Sequence, residues 1–201
     1  VELYENTYAP EYLRKALKLC DDMIDLFWDN KNGGFFVYGN DSEKLIARPK
    51  EIYDGATPSG NSVAAYNLVR LSRLSGRHEL EEKAQNLFEA FGESIGHSIF
   101  MIMALMYHIS PSREVVIAGR SDSHNTHGLL GVVRDSFMPF TVSMLYTGEH
   151  GDLKDVAPFV EGMEFGNMPA AYVCENLSCM QPITEAGKLS DILAGGSEFT
   201  S

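Results

Sequence analysis

The apolar pattern of this chain changes its period at Pro111, and no single regular architecture accommodates both halves. Before Pro111 the spacing is helical. From Glu11 to Asp29 the residues Leu13, Leu17, Cys20, Ile24 and Phe27 recur at alternating steps of four and three, one face of an amphipathic helix. Asp29-Asn30-Lys31-Asn32-Gly33-Gly34 stops it, and Phe35 to Tyr38 reads as a short strand. After a charged loop, Ser59 or Asn61 caps a second helix that reaches about Leu74, with Gly76 as its stop. Val63, Ala64, Ala65, Leu68, Val69 and Leu71 spread around much of its circumference, so neighbours are expected to enclose it, with Arg70 and Arg73 on the remaining exposed strip. A third helix starts near Glu79, with Leu80, Ala84, Leu87, Phe88 and Phe91 on one stripe. A fourth starts near Ser98, and its run from Ile99 to Tyr107 reads as buried, with Met101, Met103 and Met106 filling core space.

After Pro111 the apolar runs are short: Glu114 to Gly119, Phe140 to Tyr146 and Ala170 to Cys174. Helical intervals of about 123–136 and 152–163 separate them, and a last helix covers about 185–193. Strands alternating with crossover helices predict a three-stranded, mainly parallel βαβαβα layer. The expectation is a mainly α fold with a small α/β part, divided into 1–110 and 111–201. Wet helices alternating with more buried ones suit two hairpins of a partial α/α toroid. Such a partial ring leaves apolar faces uncovered, so self-association is expected.

Charge narrows the partners. Across 201 residues the formal net charge is -12, which repels phosphate backbones and anionic lipid, so neither nucleic acid nor membrane is expected. No apolar run approaches the ~18 residues of a spanning helix. The chain opens on Val1 rather than Met and on polar, acidic residues. Its end from Gly195 to Ser201 is small and polar and reads as partly of cloning origin, so the chain is taken for a fragment without a secretory leader. Three cysteines, Cys20, Cys174 and Cys179, are an odd number, no disulfide framework, and point to a reducing cytoplasm.

Chemistry concentrates in the loop from Arg48 to Ser62. Asp54 or Glu51 can hydrogen-bond sugar hydroxyls or exchange a proton, as catalytic candidates. Arg48 and Lys50 can hold an anionic group, and Ser59 and Asn61 complete the ligand-binding set. On this reading Arg48, Glu51 and Asp54 lie together at the open end of the helical layer. The structural alternative stays open: Asp54-Gly55 is a turn, Pro58 precedes a helix cap, and Arg48 pairs with Glu51 or Asp54. Cys174 and Cys179 form a C-x4-C pair at a strand end, either a redox pair or buried inert thiols. Neither has a cationic neighbour in sequence to favour its thiolate, and proximity without a disulfide is expected. His124 and His127, with Asp122 as the one near carboxylate, fall short of a metal site. Gly119-Arg120-Ser121-Asp122 is too short a glycine signal for a phosphate loop, so no cofactor is expected.

Three segments carry a resemblance. Phe27-Trp28-Asp29 with Gly33-Gly34-Phe35 resembles the hairpin of six-hairpin toroids, sugar 2-epimerases among them. Arg48-Pro49-Lys50-Glu51 leading to Asp54-Gly55-Ala56-Thr57-Pro58-Ser59-Gly60-Asn61-Ser62 is similar to the signature of the YyaL, or spermatogenesis-associated thioredoxin-domain, family. Tyr172-Val173-Cys174-Glu175-Asn176 with Cys179 and Pro182 resembles that family's C-terminal end. The resemblance implies an N-terminal thioredoxin-like domain outside this chain and a toroid related to sugar epimerases. Those epimerases work by paired funnel histidines, whereas His78, His97 and His108 stand in no such context here. The resemblance therefore leaves two expectations for function: part of a carbohydrate-like ligand or substrate site, or a non-catalytic module that supports or docks a redox domain.

Overall fold

A computed structural model describes residues 1–43, 47–149, 153–176 and 178–195. About half of the chain is helical and a small mixed sheet accompanies the helices. Two compact units divide it. One comprises residues 11–73 and 77–110; the other comprises residues 2–10 and 74–76 with the chain from Pro111 onward.

The helical unit holds α2 (Pro10–Phe27), most of α3 (Gly60–Ser75), α4 (His78–Phe91) and α5 (Ile99–Ile109). Their inner faces follow the expected spacing. Leu13, Leu17 and Cys20 are buried on α2, and Leu80, Ala84, Leu87 and Phe88 on α4. On α3, Ala64, Ala65, Leu68, Val69 and Leu71 are all buried, as the breadth of its apolar surface demands. Ser59 is the cap of this helix: its hydroxyl accepts the Ser62 N–H at 3.2 Å.

Two side-chain placements differ from expectation. Arg70 and Arg73 are buried rather than on an exposed strip. The Arg70 guanidinium lies over the Tyr66 ring and that of Arg73 over Tyr107, while Arg73 also donates to the carbonyls of Tyr107 and Ser110 at 2.8 and 3.1 Å. An arginine supplied with a ring face and carbonyl acceptors tolerates burial that a bare cation does not. Met103 and Met106 are not core filler: only Met101 of the three is buried, and the other two lie on an exposed face of α5.

The other unit is built on four strands: β1 (Arg113–Ala118), β2 (Thr141–Tyr146), β3 (Ala170–Glu175) and β4 (Ser178–Cys179), in the order β2-β1-β3-β4. β1 is central and buried from Glu114 to Ala118. α6 (His124–Asp135) makes the crossover to β2, which pairs with β1 in parallel. The mainly parallel layer is not what forms, because β3 runs antiparallel to β1 and β4 antiparallel to β3. The connection after β2 explains the reversal. Where a helix over 152–163 was expected, 3-10 turns at Leu153–Asp155 and Pro158–Gly162 stand instead (Asp152 itself lies outside the described residues). Pro158, Gly162, Gly166 and Pro169 deny that stretch a continuous helix, and a parallel return normally needs one. Val115 and Ile117 pack with Leu129 and Val133 of α6, with Ala171 and Val173 of β3, and with Leu189 and Leu193 of α7 (Ala186–Leu193). Tyr8, just after the unpredicted helix α1 (Glu2–Thr7), joins this core and hydrogen-bonds the Ser143 hydroxyl at 2.9 Å. Phe35 to Tyr38 forms no strand, only a bridge between Phe35 and Trp28.

Candidate functional site

The end of α2 turns back on itself through two glycines. Gly33 and Gly34 have φ of +71° and +76°, the left-handed region open mainly to glycine. At Gly33 a second constraint acts: a β-carbon there would stand 2.7 Å from the backbone oxygen of Asn86 on α4. The turn is pinned by the Gly33 N–H to the Asp29 carbonyl at 3.0 Å and the Asp29 N–H to the Gly34 carbonyl at 2.9 Å. Between this turn and α4 opens a cleft of about 400 Å³ lined by Trp28, Asp29, Asn30, Asn32, Asn86 and Glu89, among others. Carboxylates, amides and backbone make up most of its lining, with Trp28, Lys31 and Ala90 completing it.

Asp29 organises the cleft. One carboxylate oxygen accepts the Lys31 N–H at 2.9 Å; the other accepts the Asn32 amide at 3.3 Å and faces the Lys50 ammonium at 2.6 Å. Lys50 also donates to the Gly33 carbonyl. The Lys50 ammonium, joined by the Lys31 N–H and the Asn32 amide, holds the Asp29 carboxyl far below the ordinary carboxylate range, against the opposing effect of burial. Asp29 is thus an anion at any ordinary pH and not a general acid. Trp28 packs edge-on to Phe35 at 5.0 Å and lies under the Lys83 ammonium at 4.7 Å, so it walls the cleft rather than offering a free face.

The loop residues singled out by sequence divide into separate groups. Asn61 is buried: its amide oxygen accepts the Phe35 N–H at 2.7 Å, and its nitrogen donates to the carbonyls of Phe35 and Glu51 at 2.9 and 2.8 Å. Asp54 joins two helix starts. One oxygen accepts the Ser59 N–H at 2.8 Å; the other accepts the N–H groups of Phe100 and Met101 at 2.8 and 3.3 Å, in the first turn of α5. Burial pushes the Asp54 carboxyl up, but those N–H groups and the Ser62 hydroxyl pull it further down, leaving it below its ordinary value. Arg48 is engaged elsewhere, stacked over Phe36 and bonded to the Asn40 amide oxygen at 3.0 Å and the Tyr38 carbonyl at 2.7 Å. The Glu51 side chain is exposed. So Asp54 with Ser59 forms one bonded set and Asn61 with the Glu51 carbonyl another, while Lys50 bonds to two residues of the cleft lining, Asp29 and Gly33, from behind.

In the α/β unit, Cys174 and Cys179 face each other across the β3–β4 pair and are joined as a disulfide, where proximity without a bond was expected. The antiparallel register that sequence did not predict puts the two side chains directly opposite. Cys174 is buried and Cys179 exposed; Cys20 is a free, buried thiol whose pKa burial pushes up to about 11. The odd cysteine count is therefore one bridge plus one inert thiol, and it no longer argues for a reducing compartment. Among the described residues no cluster of His, Cys, Asp or Glu is placed to hold a metal ion, and no helix is long and apolar enough to cross a membrane.

Comparison with known proteins adds a relationship over nearly the whole length. Human spermatogenesis-associated protein 20 is 32% identical over 200 residues, covering 96% of this chain and 25% of that protein. The rat protein of the same name is 32% identical over 203 residues with the same coverage. The chain is homologous to the C-terminal region of spermatogenesis-associated protein 20. A Caenorhabditis elegans protein, described as an uncharacterized protein, is 27% identical over 199 residues and 96% of this chain. No family model matches. The chain spans about a quarter of the length of these curated relatives.

In sequence Glu89 reads only as part of the wet face of α4 and Asn86 draws no reading, because polar residues on such a face need no explanation. The signal that would have found them is the pair Gly33-Gly34: two successive glycines after a helix permit an approach to another backbone that no other residue allows.

Proposed function

We propose that this region supplies a binding surface for a hydroxyl-rich small molecule of the carbohydrate class, within a helical toroid completed by the rest of the full-length protein. The cleft between the Gly33-Gly34 turn and α4 carries the reading. Its volume lies within the range of small-molecule sites, and its lining of amides and carboxylates offers donors and acceptors without a strongly apolar wall. In this arrangement Asp29 accepts from ligand hydroxyls, Lys50 fixes Asp29 and can meet an anionic substituent, and Asn30, Asn32, Asn86 and Glu89 complete the shell. Asp54, Ser59 and Asn61 act behind it, holding the loop that delivers Lys50. Glu51, exposed, is the loop's remaining carboxylate for proton exchange. The test is a titration with a panel of neutral and acidic mono- and disaccharides, followed by amide chemical shifts. Saturable shifts at Asn30, Asn32 and Asn86, abolished by Asn86→Ala and by Lys50→Met with the fold retained, are expected. No saturable shift with any member of the panel defeats the proposal.

A second reading, a docking module for a thioredoxin-like redox domain, draws on the exposure of Cys179. A dithiol's thiolate would attack the Cys179 sulfur, the Cys174–Cys179 bond would break with Cys174 leaving as thiolate, and the second thiol would close the reductant's own disulfide. Cys174 makes a poor leaving group, being buried and directly opposite Glu114 in the β1–β3 register, which is why this reading ranks second. A thioredoxin stripped of its resolving cysteine should be captured covalently at Cys179; absence of that adduct removes the reading.

A further inference from the structure

α5 has an outer face that the described residues of its own unit do not cover. Ile99, Met103, Met106 and Ile109 are 82%, 37%, 47% and 71% exposed, and their spacing of four, three and three puts them along one side of the helix. The opposite side, Met101, Ala104 and Tyr107, is buried in the helical unit. No residue of α5 carries a fixed charge, and its sole titratable side chain apart from Tyr107, His108, is paired with Glu81 at 3.1 Å. The other long helices of the same unit behave differently. The outer face of α2 carries Glu11, Arg14, Lys15, Lys18 and Asp22 around a single strongly exposed leucine, Leu19, and that of α4 carries Glu79, Glu82, Gln85 and Glu89. The chain has polar residues to spend on outer faces and spends none here. A helix apolar on all sides is an enclosed helix.

We infer that in the full-length protein this face of α5 is covered by an amphipathic helix of the same polypeptide, drawn from the part that lies outside these 201 residues. Two observations select that occupant over a second copy. The curated relatives are about four times as long as the matched stretch, so three quarters of such a chain is there to supply it. Two copies of this chain would each bring a net charge of -12 to the contact, a repulsion that a face holding four exposed apolar side chains has to overcome. The spacing along α5 suits ridge-into-groove packing, so the covering helix presents Leu or Ile at matching intervals and no charge at its centre.

Methionine oxidation by dilute hydrogen peroxide reads the face directly, since Met103 and Met106 lie on it and buried Met101 is an internal control. In the 201-residue chain Met103 and Met106 should oxidise quickly and Met101 slowly. In the full-length protein both should slow by at least about ten-fold, at every protein concentration tried. Equal rates in the two proteins overturn the inference, and so does protection that fades on dilution, which would mark a second copy as the cover. Met103→Glu with Met106→Glu supplies an independent reading. The pair should leave the melting temperature of the 201-residue chain nearly unchanged and lower that of the full-length protein by several degrees. A full-length protein indifferent to both substitutions also overturns it.

Discussion

In the helical unit the long connection between α2 and α3 is fastened by side chains: Asn61 to Phe35 and Glu51, Asp54 to Ser59, Phe100 and Met101, Lys50 to Asp29. The α/β unit is held by backbone ladders and an apolar interior, to which the described residues add the Tyr8–Ser143 bond, the Arg113–Glu175 pair and the Cys174–Cys179 bridge. The difference bears on where a site can form. A ladder satisfies its own polar groups and leaves a closed surface. A loop fastened by buried amides and carboxylates holds irregular backbone in place, and irregular backbone is what shapes the cleft beside Gly33.

The contrast can be broken by mutation. Asn61→Ala should have the largest effect, since it leaves the buried N–H and carbonyl of Phe35 without partners; a loss of about 4 kcal/mol in urea unfolding is expected. A loss under about 1 kcal/mol would show that the fastening matters less than the helix packing. Asp54→Asn keeps the shape but weakens bonds to three N–H groups, and should cost about 2 kcal/mol. If ligand binding falls while stability holds, Asp54 belongs to the cleft and not to the framework. Reduction of Cys174–Cys179 opens a ring of six residues, for which chain entropy gives about 2 kcal/mol at most; a larger loss would make the bridge, not the ladder, the mainstay of the α/β unit.

The smallest effect is the response to acid. Asp29 and Asp54 both have folded pKa values below their ordinary ones. Their contribution is present in full above the unfolded carboxylate value of about 4 and is lost as pH falls below it toward the folded values. The urea midpoint of the helical unit should therefore fall between about pH 4 and pH 2, less steeply in Lys50→Met. A midpoint flat through that window removes both carboxylates from the account.

Much of this was legible in sequence, and the failures have physical causes. The spacing Leu13-Leu17-Cys20 and Leu80-Ala84-Leu87 marks helix faces because burial follows the 3.6-residue turn. The direction of β3 was not legible in its own residues, since a buried strand reads the same both ways; Pro158, Gly162 and Pro169 in the preceding connection were the usable warning. Arg70 was read as exposed from its charge alone, although Tyr66, four residues earlier on the same helix, offers the ring that lets it be buried. In the Arg48–Ser62 loop the polar residues were legible but their partners were not. Asn61 and Asp54 look identical as ligands and as fasteners until their partners are seen.

Asp54 carries one more consequence. Its bonds to the N–H groups of Phe100 and Met101 span 46 and 47 residues of chain, so the first turn of α5 is closed by the 47–59 loop and not by its own sequence. Those two amides answer to the motions of a distant segment. Whenever the loop lifts, they become open to exchange with solvent deuterium while the middle of α5 stays shut. The exchange rate at Phe100 is thus a clock for the loop, readable at a residue the loop does not contain.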